Sequence, residues 1–186
     1  MPIGHNQGPS LDAGTAWRRH CWTQARADLL PTLPIEVVRL RVRRAAQIGL
    51  DYRTYASIRA ASGHDVVAFL FSTNALHLFP RRIELDAARS SRLAALTGSG
   101  RAALAQAPLS VGELEHLIPD PLDLVAPAPA PFAPWCELRN RVLAVLKTAG
   151  WPKAGVVMVC ETALEREWAL AARLGHALPA QRFFAP

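Results

Sequence analysis

The chain has 186 residues, 51% hydrophobic and 19% charged, with a formal net charge of +6. This length buries a proper core without disulfides or metals, and the composition excludes wholesale disorder. No run approaches about 18 consecutive apolar residues, so no membrane span is expected, and the opening MPIGHNQGPSLDAG lacks the basic flank and apolar stretch of a secretory signal.

The three cysteines, Cys21, Cys136 and Cys160, are far apart and odd in number. That predicts reduced thiols in a cytoplasmic protein, with neither a disulfide framework nor a zinc site. No cofactor is expected either, because the chain carries neither GxGxxG nor a P-loop ending. Charge is uneven. Residues 1–60 hold nine arginines against four acidic residues, and residues 61–186 hold twelve basic against eleven acidic groups. A basic segment of this kind is the footprint of a polyanion partner. Only Lys147 and Lys153 are lysines, a bias towards arginine that base composition alone can produce, so the charge is a weaker sign of such a partner.

Residues 1–10 are polar, with two glycines and two prolines, and predict a mobile tail. A first helix is expected over Ser10–Leu30, with Trp17, Cys21, Ala25 and Leu29 as its apolar stripe. Pro34 opens a second helix that runs to about Ile48 and stops at Gly49. Ile35, Val38, Val42, Ala45 and Ala46 share its apolar face. Asp51 caps a third helix over Tyr52–Ser62, with Tyr55 and Ile58 inward and Gly63 closing it.

The character of the chain changes at Gly63. Asp65–Phe71, DVVAFLF, is short, apolar, β-branched and aromatic, which predicts a buried strand; a capped buried helix is the competing reading. An amphipathic helix follows over Ile83–Leu96, then a strand over Arg101–Ala107. Ser110 and Glu113 form a capping box for a short helix through Leu117. A third strand is expected over Leu122–Ala126, and an extended proline stretch over 127–134. Then come a helix over Trp135–Ala149, a strand over Gly155–Cys160 and a helix over Thr162–Leu174 ended by Gly175. Strands separated by helices imply parallel pairing with right-handed crossovers. The expected fold is α/β: a small three-layer, mostly parallel sheet of three to five strands over residues 64–186. A basic region of two to three helices, residues 11–62, precedes it.

Residues 41–60 fit the spacing of a helix-turn-helix, with Ala45 at the small crossing position, Gly49 at the turn, and Ile48 and Ile58 in the core. Tyr55 departs from the smaller aliphatic usual at its place. The segment resembles Cro-like repressors. That resemblance implies a recognition helix over Asp51–Arg59, with Tyr52, Arg53 and Ser57 facing a major groove and Arg39, Arg41, Arg43 and Arg44 meeting phosphates. The plainer alternative is a helical hairpin with solvated arginines.

In open parallel sheets, ligands sit beyond the carboxyl ends of the strands. Ser72, Thr73, Asn74, Glu161 and Thr162 are expected there, the first three at an exposed strand end, next to helix N-termini that favour anions such as a small phosphorylated ligand. DVVAFLFSTNAL and the segment Ala154–Gly175 resemble the first and last motifs of haloacid-dehalogenase-like phosphatases. The paired aspartates of that family are replaced around Leu70–Ser72, and its Gly-Asp is Cys160-Glu161. The resemblance therefore implies a Rossmann-like shape without aspartyl-phosphate chemistry. FLFSTNA is not a nucleophile elbow. Cys160 ends a strand beside a helix N-terminus but reads first as a structural thiol. Glu161, Glu165 and Arg166 read most simply as a solvated face, with Glu161 the one carboxylate positioned for a site.

Three function classes remain. The first is a cytoplasmic nucleic-acid-associated or regulatory protein whose α/β domain senses a ligand or a partner. The second is a small enzyme or phosphoryl-ligand binder acting at the strand ends. The third is an adaptor whose arginine-rich helices bind an acidic protein.

Overall fold

A sheet buried on both faces needs strands that are apolar nearly throughout, and two strands of this chain have that character. AFLFS and VVMVC are buried throughout, and they lie side by side at the centre. The computed structural model describes residues 17–22, 24, 33–81, 83–118 and 122–185. It divides into two compact units, Met1–Arg39 and Leu40–Pro186. The expected tail over 1–10 and most of the first predicted helix lie outside the described residues. Residues 17–22 are helical, and Trp17 and Cys21 are exposed where an inward stripe was expected. Periodicity shows which face of a helix is apolar, not whether anything packs on it.

The elements are α1 (Ile35–Gln47), α2 (Tyr52–Ser62), β1 (Ala68–Ser72), α3 (Ala87–Ala94), β2 (Gly100–Ala105), α4 (Val111–Leu117) and β3 (Leu124–Pro127). They continue with α5 (Trp135–Ala149), a 3-10 turn at Lys153–Gly155, β4 (Val156–Cys160), α6 (Ala163–Ala172), β5 (His176–Pro179) and α7 (Ala180–Phe183). The five strands run in the order β3-β2-β1-β4-β5, and every neighbouring pair is parallel. The chain is therefore an α/β protein with a small three-layer sheet. Among the described residues, no helix is long and apolar enough to cross a membrane.

The pleat sends alternate side chains into two cores. Phe69, Phe71, Val157 and Val159 meet Ile48, Tyr55 and Ile58 from the helical segment, together with Leu93 and Phe183. Leu70, Leu104 and Met158 meet Val142 and Leu146 of α5 and Trp168 of α6. α1 contributes Ala45 to the first core, while Ile35, Val42 and Ala46 of its expected inner face are exposed.

Helix ends follow local chemistry. Asp51 accepts from the backbone of Thr54, and Gly63 ends α2 with φ 73°. Ser110 and Thr162 each close a capping box with Glu113 and Glu165, caps of a kind that contribute about 1 kcal/mol each. Gly150, at φ 70°, ends α5.

Several boundaries differ from expectation, some through tertiary contact and one through a local cap. Strand β1 begins at Ala68 because Asp65 is withheld from the ladder. Its carboxylate accepts from Tyr55 Oη at 2.7 Å, Arg44 Nε at 3.3 Å and its neighbour Val66 N at 2.8 Å. The helix expected over Ile83–Leu96 starts only at Ala87, where Asp86 supplies the cap. β2 stops at Ala105, and Gln106 turns away from the ladder. α6 ends at Ala172, capped by Arg173 in the left-handed region at φ 53°, rather than running to Leu174 and stopping at Gly175. Gly175 instead lies against the backbone, where a Cβ would overlap the carbonyl of Ala154.

Candidate functional site

From β1 the chain moves outward to β2 and β3 on one side, and β4 and β5 then fill the other. The carboxyl ends of β1 and β4 thus flank the topological switch point, where crossovers diverge and open α/β sheets leave a crevice. Three segments reach it: Ser72-Thr73-Asn74 after β1, Gln106 after β2, and Glu161-Thr162 after β4 with the first turn of α6.

The polar groups gathered there bond to one another. Asn74 Nδ2 donates to Glu165 Oε1 at 2.9 Å. The other oxygen of that carboxylate accepts from the backbone N–H of Glu161 at 2.6 Å and of Thr162 at 3.1 Å. Thr73 Oγ1 donates to Gln106 Oε1 at 3.1 Å and accepts from Gln106 N at 3.3 Å. The amide of Asn74 also reaches Gln106 Oε1, at 3.4 Å. Ser72 Oγ accepts from Ala75 N at 3.0 Å.

The expectation of exposed residues here is corrected in part. Ser72 and Thr73 are buried, Asn74 and Thr162 are half-buried, and Glu161 is exposed. The physical reason is the sharp turn after β1. Leu76 and Leu78 pack into the core and pull the preceding hydroxyls under cover, where each needs a protein partner. Glu165 is corrected outright: it is fully buried, not a solvated face. Its burial is sustained because three N–H groups answer one carboxylate. The signal that finds it is Thr-x-x-Glu at 162–165, a capping box legible in the sequence. Gln106 carried no such signal.

The chemistry available follows from this wiring. The Glu165 carboxylate takes the backbone N–H groups of Glu161 and Thr162, so those two donors are already used. Cys160, at the end of β4, is buried, and burial first, then the neighbouring Glu165 charge, push its thiol up to about 12. It is held as a neutral thiol and is not an activated nucleophile. Among the described residues, no group of three or more His, Cys, Asp or Glu is arranged to hold a metal ion.

The basic helices divide into two kinds of arginine. Arg44, expected at a phosphate, turns inward instead. It donates through Nη2 to Val66 O at 2.8 Å and Gly98 O at 3.0 Å, besides its bond to Asp65. Arg59 also faces Asp65, at 3.8 Å. Arg39 pairs with Glu36 on the surface at 2.7 Å. Arg43 and Arg53 are exposed and Arg41 is half-buried. Tyr52 leans on the core, and Ser57 donates its hydroxyl back to Thr54 O at 2.8 Å. Of the three residues assigned to a major groove, Arg53 and Ser57 are exposed and Tyr52 is half-buried.

Comparison with protein-family models, with curated proteins and with solved structures finds no match to this chain. Its function is read from its own residues. Those residues are the Asn74–Glu165 bridge across the switch point and the outward arginines of α1 and α2.

Proposed function

We propose that this chain is a non-catalytic, nucleic-acid-associated regulatory protein whose basic helices contact the polyanion and whose α/β domain serves as an interaction module. The observation that carries the reading is the division of the arginines. Arg44 and Arg59 are consumed by Asp65 at the foot of β1, whereas Arg43 and Arg53 are exposed. Folding does not use that charge, and a phosphate backbone would. The non-catalytic part rests on the switch point, where hydroxyl, amide and carboxylate side chains bond to one another and the thiol of Cys160 stays protonated. A phosphorylated small ligand at Ser72–Asn74 and Glu161–Thr162 is opposed by the buried carboxylate of Glu165, which repels an anion and already occupies the N–H groups of Glu161 and Thr162.

The test is fluorescence anisotropy of a labelled random duplex and a labelled single-stranded RNA with the full chain. Affinity should fall about a hundredfold between 50 and 200 mM salt if several phosphates are met. The combined Arg41→Ala, Arg43→Ala and Arg53→Ala variant should bind at least about tenfold more weakly while unfolding at the wild-type denaturant midpoint. Absence of binding to either probe at low salt would sink the reading.

A further inference from the structure

The turn after β1 leaves a pair of rings on the surface. Leu76 and Leu78 pack into the core, and His77 between them is exposed. Its backbone is left-handed, at φ 57°, a conformation that glycine adopts freely and that a Cβ disfavours. Two backbone bonds hold the turn, His77 N to Asn74 O and Leu78 N to Thr73 O, each at 2.9 Å. A glycine would serve such a turn without strain, and the histidine adds a ring at a conformational cost of the kind that marks functional positions. Phe79 lies two residues on and is 47% exposed. Its ring centre is 6.3 Å from that of His77, with the two planes 33° apart.

The imidazole is fixed in place. Arg89 Nη2 donates to His77 Nε2 at 2.9 Å, and the same guanidinium donates to Ala75 O and pairs with Asp86. Its carbon lies 4.9 Å from the ring centre of Phe184. Phe79, His77, Arg89 and Phe184 thus form one connected series of rings and a cation. Arg81, two residues past Phe79, is exposed. The series reaches the basic helices through α7. Phe184 directly follows α7, and Arg182 within it donates to Thr54 Oγ1 at 2.8 Å, next in the chain to the exposed Arg53.

Exposed ring faces held among cationic groups suit nucleobases, because every base offers a π face and brings a phosphate with it. A protein-docking patch would instead be broad and apolar, whereas here Arg81 follows Phe79 and the Asp86–Arg89 ion pair adjoins His77. A duplex keeps its bases stacked on one another, and a single strand can splay them out. We propose that the nucleic acid is single-stranded and that its bases stack on the His77–Phe79 platform. Arg81 meets the adjoining phosphate, and the strand continues towards Arg53. This inference rests on nucleic-acid association and names the form of the nucleic acid.

The test uses the full chain and two labelled probes of equal length, a single-stranded RNA of mixed sequence and the duplex it forms with its complement. Anisotropy at low salt should show tighter binding of the single strand. Phe79→Ala and Phe79→Leu should each weaken that binding by about tenfold or more. Both variants should leave the duplex affinity unchanged and unfold at the wild-type urea midpoint. A single strand carrying 5-bromouridine should crosslink on irradiation to His77 or Phe79. Three results overturn the proposal. The first is binding that is lost with Arg43→Ala plus Arg53→Ala but indifferent to Phe79→Ala, which removes the platform and leaves nucleic-acid association by the helices standing. The second is full affinity in Phe79→Leu, which keeps apolar bulk without a ring face and so excludes stacking. The third is absence of binding to both probes, which removes nucleic-acid association and the platform together.

Discussion

The side-chain amide of Asn74 donates to the buried carboxylate of Glu165 at 2.9 Å, joining the turn after β1 to the first turn of α6. This bond spans the place where a parallel sheet ordinarily leaves room for a ligand. Its removal should register as stability. Asn74→Ala removes one donor and should cost about 1–2 kcal/mol, and Glu165→Ala should cost about 3 kcal/mol, because it strands two backbone N–H groups and the Asn74 amide. Urea unfolding of the two single variants and the double variant gives the coupling directly. Strictly additive losses would show that the pair does not act as a unit.

Arg44 and Arg43 are neighbours in sequence with opposite roles. The Arg44 side chain is 21% exposed and bonds to two carbonyls and to Asp65. Arg44→Ala should lower stability by about 1–3 kcal/mol, and Arg43→Ala should stay within about 0.5 kcal/mol of wild type. Equal midpoints for the two variants in guanidinium would contradict the division of arginines.

Two glycines are required by close approach rather than by turn geometry. A Cβ on Gly100 would overlap the indole of Trp151, and one on Gly175 would overlap the carbonyl of Ala154. Trp151 is a side chain and can give way, so Gly100→Ala should cost about 1–3 kcal/mol. The obstacle at Gly175 is backbone, so Gly175→Ala should cost more. Thermal unfolding of both variants checks the order.

His176, on β5, is held below its ordinary value of 6.5, by burial first and then by the positive charge of Arg182. The unfolded chain therefore takes up this proton before the folded one does. The stability tied to neutral His176 is complete above 6.5 and drains away as pH falls through that value toward the lower folded one. The urea midpoint should decrease between about pH 7.5 and pH 5.5, and the decrease should be smaller in His176→Gln, which cannot titrate. The lowered carboxyls of Asp51 and Asp86 contribute in the same direction, but only near and below their ordinary value of 3.8. Equal slopes in both proteins would remove His176 as the cause.

Much of the fold is legible because it is local. Asp51, Ser110, Gly63 and Gly150 stop or start helices through hydrogen bonds that reach only a few residues, and the strands AFLFS and VVMVC declare themselves by unbroken apolar runs. His176–Pro179 does not: four residues with no β-branched member fall below any periodic signal. Its strand exists because β4 offers it a ladder. The helix after it holds because Phe183 is buried against Phe69 and Phe71, at ring distances of 5.0 and 5.4 Å.

The candidate site divides along the same line. By itself, the sequence determined that Ser72-Thr73-Asn74 and Glu161-Thr162 follow parallel strands and so lie at the same end of the sheet, because strand direction follows from the crossovers; that they come together there was decided by the pairing of β1 with β4. Only the tertiary structure decided which polar groups are spent. Glu165 is buried because Asn74 comes across from β1 to meet it, and Arg44 turns inward because Asp65, Val66 and Gly98 offer acceptors. Burial of a charge depends on partners that are distant in the chain, and in this protein Asn74 and Glu165 lie 91 residues apart.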